Sequence, residues 1–179
     1  LERATVAEWR AATRMALREV RARLPEGAPI HLVGYSNGGA LALQAALDAL
    51  EDPRLPRAER IVLLSPMVGV TAFARFAGIA GIPAMLPAFD AAAWLDILPE
   101  FNPYKFNSFP VNAARQSFIL SREVQRRLAA QDLRGFPPVL AFQSAADATV
   151  SSRAVVEALF DRLPANGSEL VLFDLNRAA

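Results

Sequence analysis

Gly34-Tyr35-Ser36-Asn37-Gly38 is a Gly-x-Ser-x-Gly pentapeptide set between a short apolar run, Ile30 to Val33, and a long apolar stretch, Ala40 to Leu50. The run suits a buried parallel strand and the stretch a buried helix, so Ser36 falls on the turn between them. That turn must be sharp. Gly34 and Gly38 supply positions without a Cβ where strand and helix backbones come close, and Ser36 projects from the sheet top with strained backbone angles. A hydroxyl so placed is suited to attack a carbonyl, and the N–H groups at the helix start are free to hold the anion that forms. The competing reading is a glycine-rich connection in an unrelated α/β domain. The strand before, the helix after and the extra Gly39 are the context that a nucleophile elbow requires.

A serine nucleophile works with a base, normally a histidine, and with an acid that orients the base. Asp147 lies in Ser144-Ala145-Ala146-Asp147-Ala148-Thr149-Val150, just past the apolar run Val139 to Gln143 and before a helical pattern of Val155, Val156, Leu159 and Phe160. An aspartate at a strand's C-terminal end is placed to orient a histidine over Ser36, although such loops also hold ordinary turn aspartates. Asp174, after the run Leu170 to Phe173, is the alternative acid. Ser65 ends the run Ile61 to Leu64 at the same sheet edge, where a serine before proline is more simply a loop start. The one histidine, His31, precedes Ser36 by five strand positions. At roughly 3.3 Å per residue it sits well over 10 Å from the hydroxyl, and it reads as a buried strand residue, not the base. The base is expected beyond residue 179; otherwise the protein is inactive.

Composition narrows the partners. With 53% hydrophobic and 21% charged residues among 179, the chain suits one globular core. A net charge of +1 without a basic stripe gives nucleic-acid binding no electrostatic footing. The absence of cysteine excludes a disulfide framework, thiolate metal sites and a cysteine nucleophile. No metal or cofactor is implied, and compartment and oligomeric state stay open. The chain starts with Leu1 and ends four residues after Leu175, which reads as a segment of a longer protein.

Several elements must position these groups. Thr5 and Glu8 form a capping box before Val6, Trp9, Thr13, Leu17, Val20 and Leu24, a helix with one buried stripe that ends at Pro25 and Gly27. Arginines 10, 14, 18, 21 and 23 read as its solvated face. Residues 1–66 and 136–179 make a parallel sheet flanked by helices. Residues 67–135 break the strand–helix rhythm and hold seven of the eleven phenylalanines. Pro83 and Pro87 interrupt the uncharged stretch after Arg75, so it does not reach the roughly 20 apolar residues of a membrane span. An inserted, mostly helical cap fits better, with Tyr35, Met67, Phe73 and Phe76 as candidates for an apolar substrate pocket. Residues 100–112 read as an extended, proline-marked loop, and Ser117 to Leu133 as a helix with Glu123 and Arg127 as a surface pair.

With elbow, cap and late aspartate in place, the chain resembles the α/β-hydrolase superfamily, and within it the lysophospholipase and monoacylglycerol-lipase-like serine hydrolases that carry an inserted cap. Only Gly34-Tyr35-Ser36-Asn37-Gly38-Gly39 is a specific motif of that resemblance. It implies Ser36 as nucleophile, the backbone N–H of Asn37 as one oxyanion donor and Asp147 as the acid. The family order is serine, acid, histidine, and the chain departs from it by lacking the third. It also lacks the strands and the second oxyanion loop that the family places before residue 5. The implied activity is cleavage of a small apolar or lipid-like ester through an acyl-enzyme. A non-catalytic binder of an apolar ligand and an amidase or peptidase share the same elbow.

Overall fold

The computed structural model describes residues 3–69, 94–96, 99, 101, 108–147 and 149–174. Helix α1 spans Val6–Arg23 and opens on the expected capping box, with the Thr5 N–H donating to Glu8 Oε2 at 2.8 Å and the Glu8 N–H to Thr5 Oγ1 at 3.3 Å. Then follow β1 (His31–Tyr35), α2 (Asn37–Glu51), β2 (Arg60–Leu64), β3 (Trp94–Asp96), β4 (Phe109–Pro110) and α3 (Val111–Ala130). The chain closes with β5 (Val139–Ser144), α4 (Ser152–Ala154) and β6 (Glu169–Phe173). Helix α4 runs on into a π turn over Val155–Leu159 and a 3-10 turn over Phe160–Arg162. Strands β1, β2, β5 and β6 form one parallel sheet in that order, while β3 and β4 pair antiparallel apart from it.

One sheet face carries the core. Ile61, Leu63, Val139 and Ala141 are at most 1% exposed and meet Leu43 and Leu47 of α2, Leu120 and Val124 of α3, and Val155 and Leu159. Helix α2 is buried along most of its surface because it lies between the sheet and the outer helices α1 and α3. Its alanines, at 40, 42, 45, 46 and 49, let it approach the strands closely. The opposite sheet face is open among the described residues: Val33 is 71% exposed, Tyr35 65% and Phe173 54%. The strands therefore alternate, where the sequence suggests continuous burial, because no described element covers their second face. His31 shares that exposure, so it is a strand residue as expected but not a buried one.

Other expectations change with tertiary context. Helix α3 begins at Val111, six residues before the expected start, directly after the extended Pro110. Its first turns look polar because they hold α1: the Asn112 amide donates to Ala4 O at 2.8 Å, and Gln116 Oε1 accepts the Val6 N–H at 3.1 Å. Residues 111–130 fall within the expected cap, yet Leu120, Val124 and Leu128 belong to the core, so α3 is part of the helical layer. Only the amphipathic stripe of α1 near Val6 and Trp9 reaches the core, and Val20 and Leu24 stay exposed at 45% and 36%.

Arg10 and Arg14 are not a solvated face. With Arg127 they surround Asp48, whose side chain is 3% exposed, at 3.0, 2.7 and 2.6 Å. Arg10 also pairs with Glu123 at 2.8 Å and Arg127 lies 3.0 Å from Glu51, so Glu123 and Arg127 bond across helices, not to each other. Burial pushes the Asp48 carboxyl pKa up, but hydrogen bonds from Arg127 and Arg14 and the charge of Arg10 outweigh it and hold the pKa below its usual 3.8. A lowered folded pKa stabilises the fold above the unfolded value, and that contribution fades as pH falls through the folded one. Asp48→Asn leaves three guanidinium groups without their shared anion and should cost about 3–5 kcal/mol at pH 7. It should also remove the part of the stability loss that the wild type shows below about pH 4. Urea unfolding at pH 7 and pH 3 measures both; an unchanged midpoint at pH 7 would contradict the account.

Candidate active site

Ser36 joins β1 to α2 with φ 50° and ψ −117°, and among the described residues only Ser36 and Ser65 combine a side chain with positive φ. Such backbone costs about 1–3 kcal/mol and persists only where neighbours hold it. Here the Ser36 N–H donates to Leu64 O at 2.9 Å, and the Ser36 carbonyl accepts N–H groups of Gly39 at 3.0 Å, Ala40 at 3.4 Å and Met67 at 3.0 Å. The strand thus ends in a turn tied to both α2 and the loop after β2. Asn37 is the first residue of α2, so its N–H has no intrahelical acceptor and stands beside the serine.

The tightness of the turn comes from Gly34 and Gly39. A Cβ on Gly34 would fall 2.6 Å from Gly39 Cα and 2.7 Å from Gly38 O, and one on Gly39 would fall 2.9 Å from Pro66 Cβ. Gly38 does not share this role. A Cβ there meets nothing within 4 Å, because the residue faces away from β1 on the first turn of α2. The close approach expected at Gly34 and Gly38 is therefore made by Gly34 and Gly39.

Ser65 extends β2 by donating its N–H to Phe142 O at 2.9 Å, which sets it beside the elbow on the neighbouring strand. Beyond Pro66 the Val68 carbonyl accepts both Ser121 Oγ and Gln125 Nε2 at 2.7 Å, and the Gly69 carbonyl accepts the Ser151 N–H at 2.9 Å. Val68 and Gly69 are thereby clamped between α3 and the turn that follows Asp147. Met67 is 6% exposed and its side chain belongs to the core, so it meets the elbow through its N–H, not as a pocket wall. Tyr35 points to the open sheet face, 65% exposed. Phe73 and Phe76 lie outside the described residues.

Asp147 sits three residues past β5. Its Oδ1 accepts the N–H groups of Thr149 and Val150, both at 2.9 Å, and its Oδ2 accepts Gln143 Nε2 at 3.3 Å. Oδ1 thus does the work of a turn aspartate, which was the alternative reading of this position. The parallel register puts the ends of β1, β2 and β5 along one edge, with Asp147 two strands from Ser36, about 10 Å by strand spacing. Asp174 is one strand further and exposed. A cavity of about 170 Å³ lined by Arg60, Val139 and Glu169 opens at the opposite ends of the strands and is no part of this site. Among the described residues no cluster of His, Asp or Glu is arranged to hold a metal ion. Pro66, Gln143 and the Ser121–Gln125 clamp gave no sequence signal, whereas Gly39 stood out as the extra glycine after the pentapeptide.

The sequence profile of the alpha/beta hydrolase family matches residues 2–175, and the chain belongs to that family. No curated protein matches it in sequence. Among solved structures it is similar to that reported for the metagenome-derived lipolytic enzymes LipS and LipT, with a TM-score of 0.69 and 22% identity, covering 97% of this chain and 64% of that one. A monoacylglycerol lipase from Paleococcus ferrophilus gives a TM-score of 0.63 at 16% identity, covering 96% and 66%. A soluble variant of monoglyceride lipase from Saccharomyces cerevisiae, in complex with a substrate analog, gives 0.62 at 14% identity, covering 94% and 59%. The chain thus spans about two thirds of the length of these structures or less, and at such identities the likeness is one of fold.

The two glycines make opposite predictions. Gly34→Ala forces β1 and α2 apart and should cost about 1–3 kcal/mol in urea unfolding. Gly38→Ala, on an open helical position, should be neutral or stabilising by up to about 1 kcal/mol. Equal destabilisation by the two would contradict the geometry.

Proposed function

We propose that the protein is a serine hydrolase of apolar carboxylic esters, and the observation that carries this reading is the strained Ser36 at the head of α2. Ser36 Oγ attacks the ester carbonyl while its proton passes to a base. The Asn37 N–H donates to the oxygen as it becomes an anion, a contribution of roughly 3–4 kcal/mol for a well-aimed donor. Collapse of the tetrahedral intermediate expels the alcohol with the proton returned by the base, leaving an acyl-enzyme that water cleaves by the same steps. Asp147 holds the base in the tautomer that can accept the proton.

His31 does not serve as that base, since it begins β1 while Ser36 follows its end. The base in this reading is a histidine, and residues 1–179 hold none besides His31. The segment between Gly69 and Ser108 is proposed as the cap, with Phe73 and Phe76 on an acyl pocket. The Gly69 clamp supports it by fixing where the segment departs beside both Ser36 and the Asp147 turn. The lipolytic and monoacylglycerol lipase structures favour a lipid-like ester over a peptide.

The test uses the protein that carries this chain, a fluorophosphonate and a series of p-nitrophenyl acyl esters. The expected result is a covalent adduct on Ser36, ester turnover that Ser36→Ala reduces to background, and a fall of about 10⁴-fold in kcat for Asp147→Asn. His31→Ala should leave turnover intact. No adduct at Ser36 together with untouched esters would contradict the reading and favour a non-catalytic binder of an apolar ligand.

A further inference from the structure

Gln143 is 1% exposed and occupies the buried face of β5 with Val139 and Ala141, a position where an apolar side chain would pack at no polar cost. Its Nε2 donates to Ser144 O at 3.1 Å and to Asp147 Oδ2 at 3.3 Å. Both neighbours are acceptors, which fixes the amide with its nitrogen toward the carboxylate. Its Oε1 is buried without a hydrogen-bond partner, so the amide keeps its grip on Asp147 at the expense of an unpaired oxygen.

An ionised carboxylate offers about four acceptor positions. Thr149 and Val150 take two on Oδ1 and Gln143 takes one on Oδ2, which leaves a single position, on Oδ2. We infer that Gln143 is a positioning residue for the acid: its buried amide fixes Asp147 Oδ2 so that the one open acceptor position receives the N–H of the catalytic base. The inference rests on Asp147 being the acid of the proposed hydrolase. A residue that only supported the turn would affect folding and not the titration of the base.

The experiment compares wild type, Gln143→Leu and Gln143→Met, each normalised to the Ser36 sites that fluorophosphonate titrates. Gln143→Leu should lower kcat about 10- to 100-fold, the scale found when an outer hydrogen-bond partner is removed. KM for a p-nitrophenyl ester should stay within about twofold, since the amide does not touch substrate. The acid limb of kcat/KM against pH should move to higher pH, because an Oδ2 relieved of its donor holds the protonated base more strongly. Gln143→Met, of nearly the same length but with no donor, should move the limb in the same direction, and it carries the test alone if the leucine variant does not fold. A wild-type limb and kcat in a folded variant would overturn the inference, as would a loss of activity matched by lost Ser36 sites with the limb unmoved. In either case the hydrolase reading would stand. A wild-type protein without adduct or turnover would overturn both.

Discussion

The backbones of β1 and α2 touch at Gly34 and Gly39, and the chain has only residues 35 to 38 in which to reverse between them. That space admits no ordinary turn, so Ser36 takes a conformation that an L-residue rarely adopts. Pro66 closes the third side against Gly39, and the N–H of Met67 reaches the Ser36 carbonyl. The strain at the serine is thus distributed over three elements. Loosening any one of them would let Ser36 relax toward regular backbone and would move the Asn37 N–H out of place.

Such a contact requires α2 to be pressed onto the sheet. From within, its alanines allow the approach; from without, α1 and α3 hold it through the charges on Asp48. Three arginines and three carboxylates make that cluster formally neutral. The cluster ties α1, α2 and α3 together at Asp48, on the side of α2 away from the sheet. The clamp on Val68 and Gly69 extends the same order to the turn that follows Asp147, so Ser36, Gly69 and the Asp147 turn are tied to one edge of the sheet.

Much of this was legible because it is local. A capping box specifies Thr5 and Glu8, apolar runs specify four parallel strands, and Gly-x-Ser-x-Gly between a run and a helix specifies the elbow. What was not legible depends on partners distant in sequence. Arg10 and Arg14 look like a wet face until Asp48 and Arg127 stand opposite, and the polar start of α3 looks like loop until Asn112 and Gln116 meet α1. Gly38 and Gly39 cannot be ranked without knowing which one faces the strand. His31 reads as buried because its strand is apolar, whereas burial depends on what covers the sheet's second face.

The central claim is that the Ser36 turn presents a reactive hydroxyl and an oxyanion donor together. The measurement that tests it most directly is a crystal structure of the protein after reaction with a phosphonate ester. The account predicts phosphorus bonded to Ser36 Oγ, with one phosphoryl oxygen about 2.7–3.1 Å from the Asn37 nitrogen and Ser36 still at positive φ. Phosphorus on another residue, or a phosphoryl oxygen turned away from the start of α2, would contradict it.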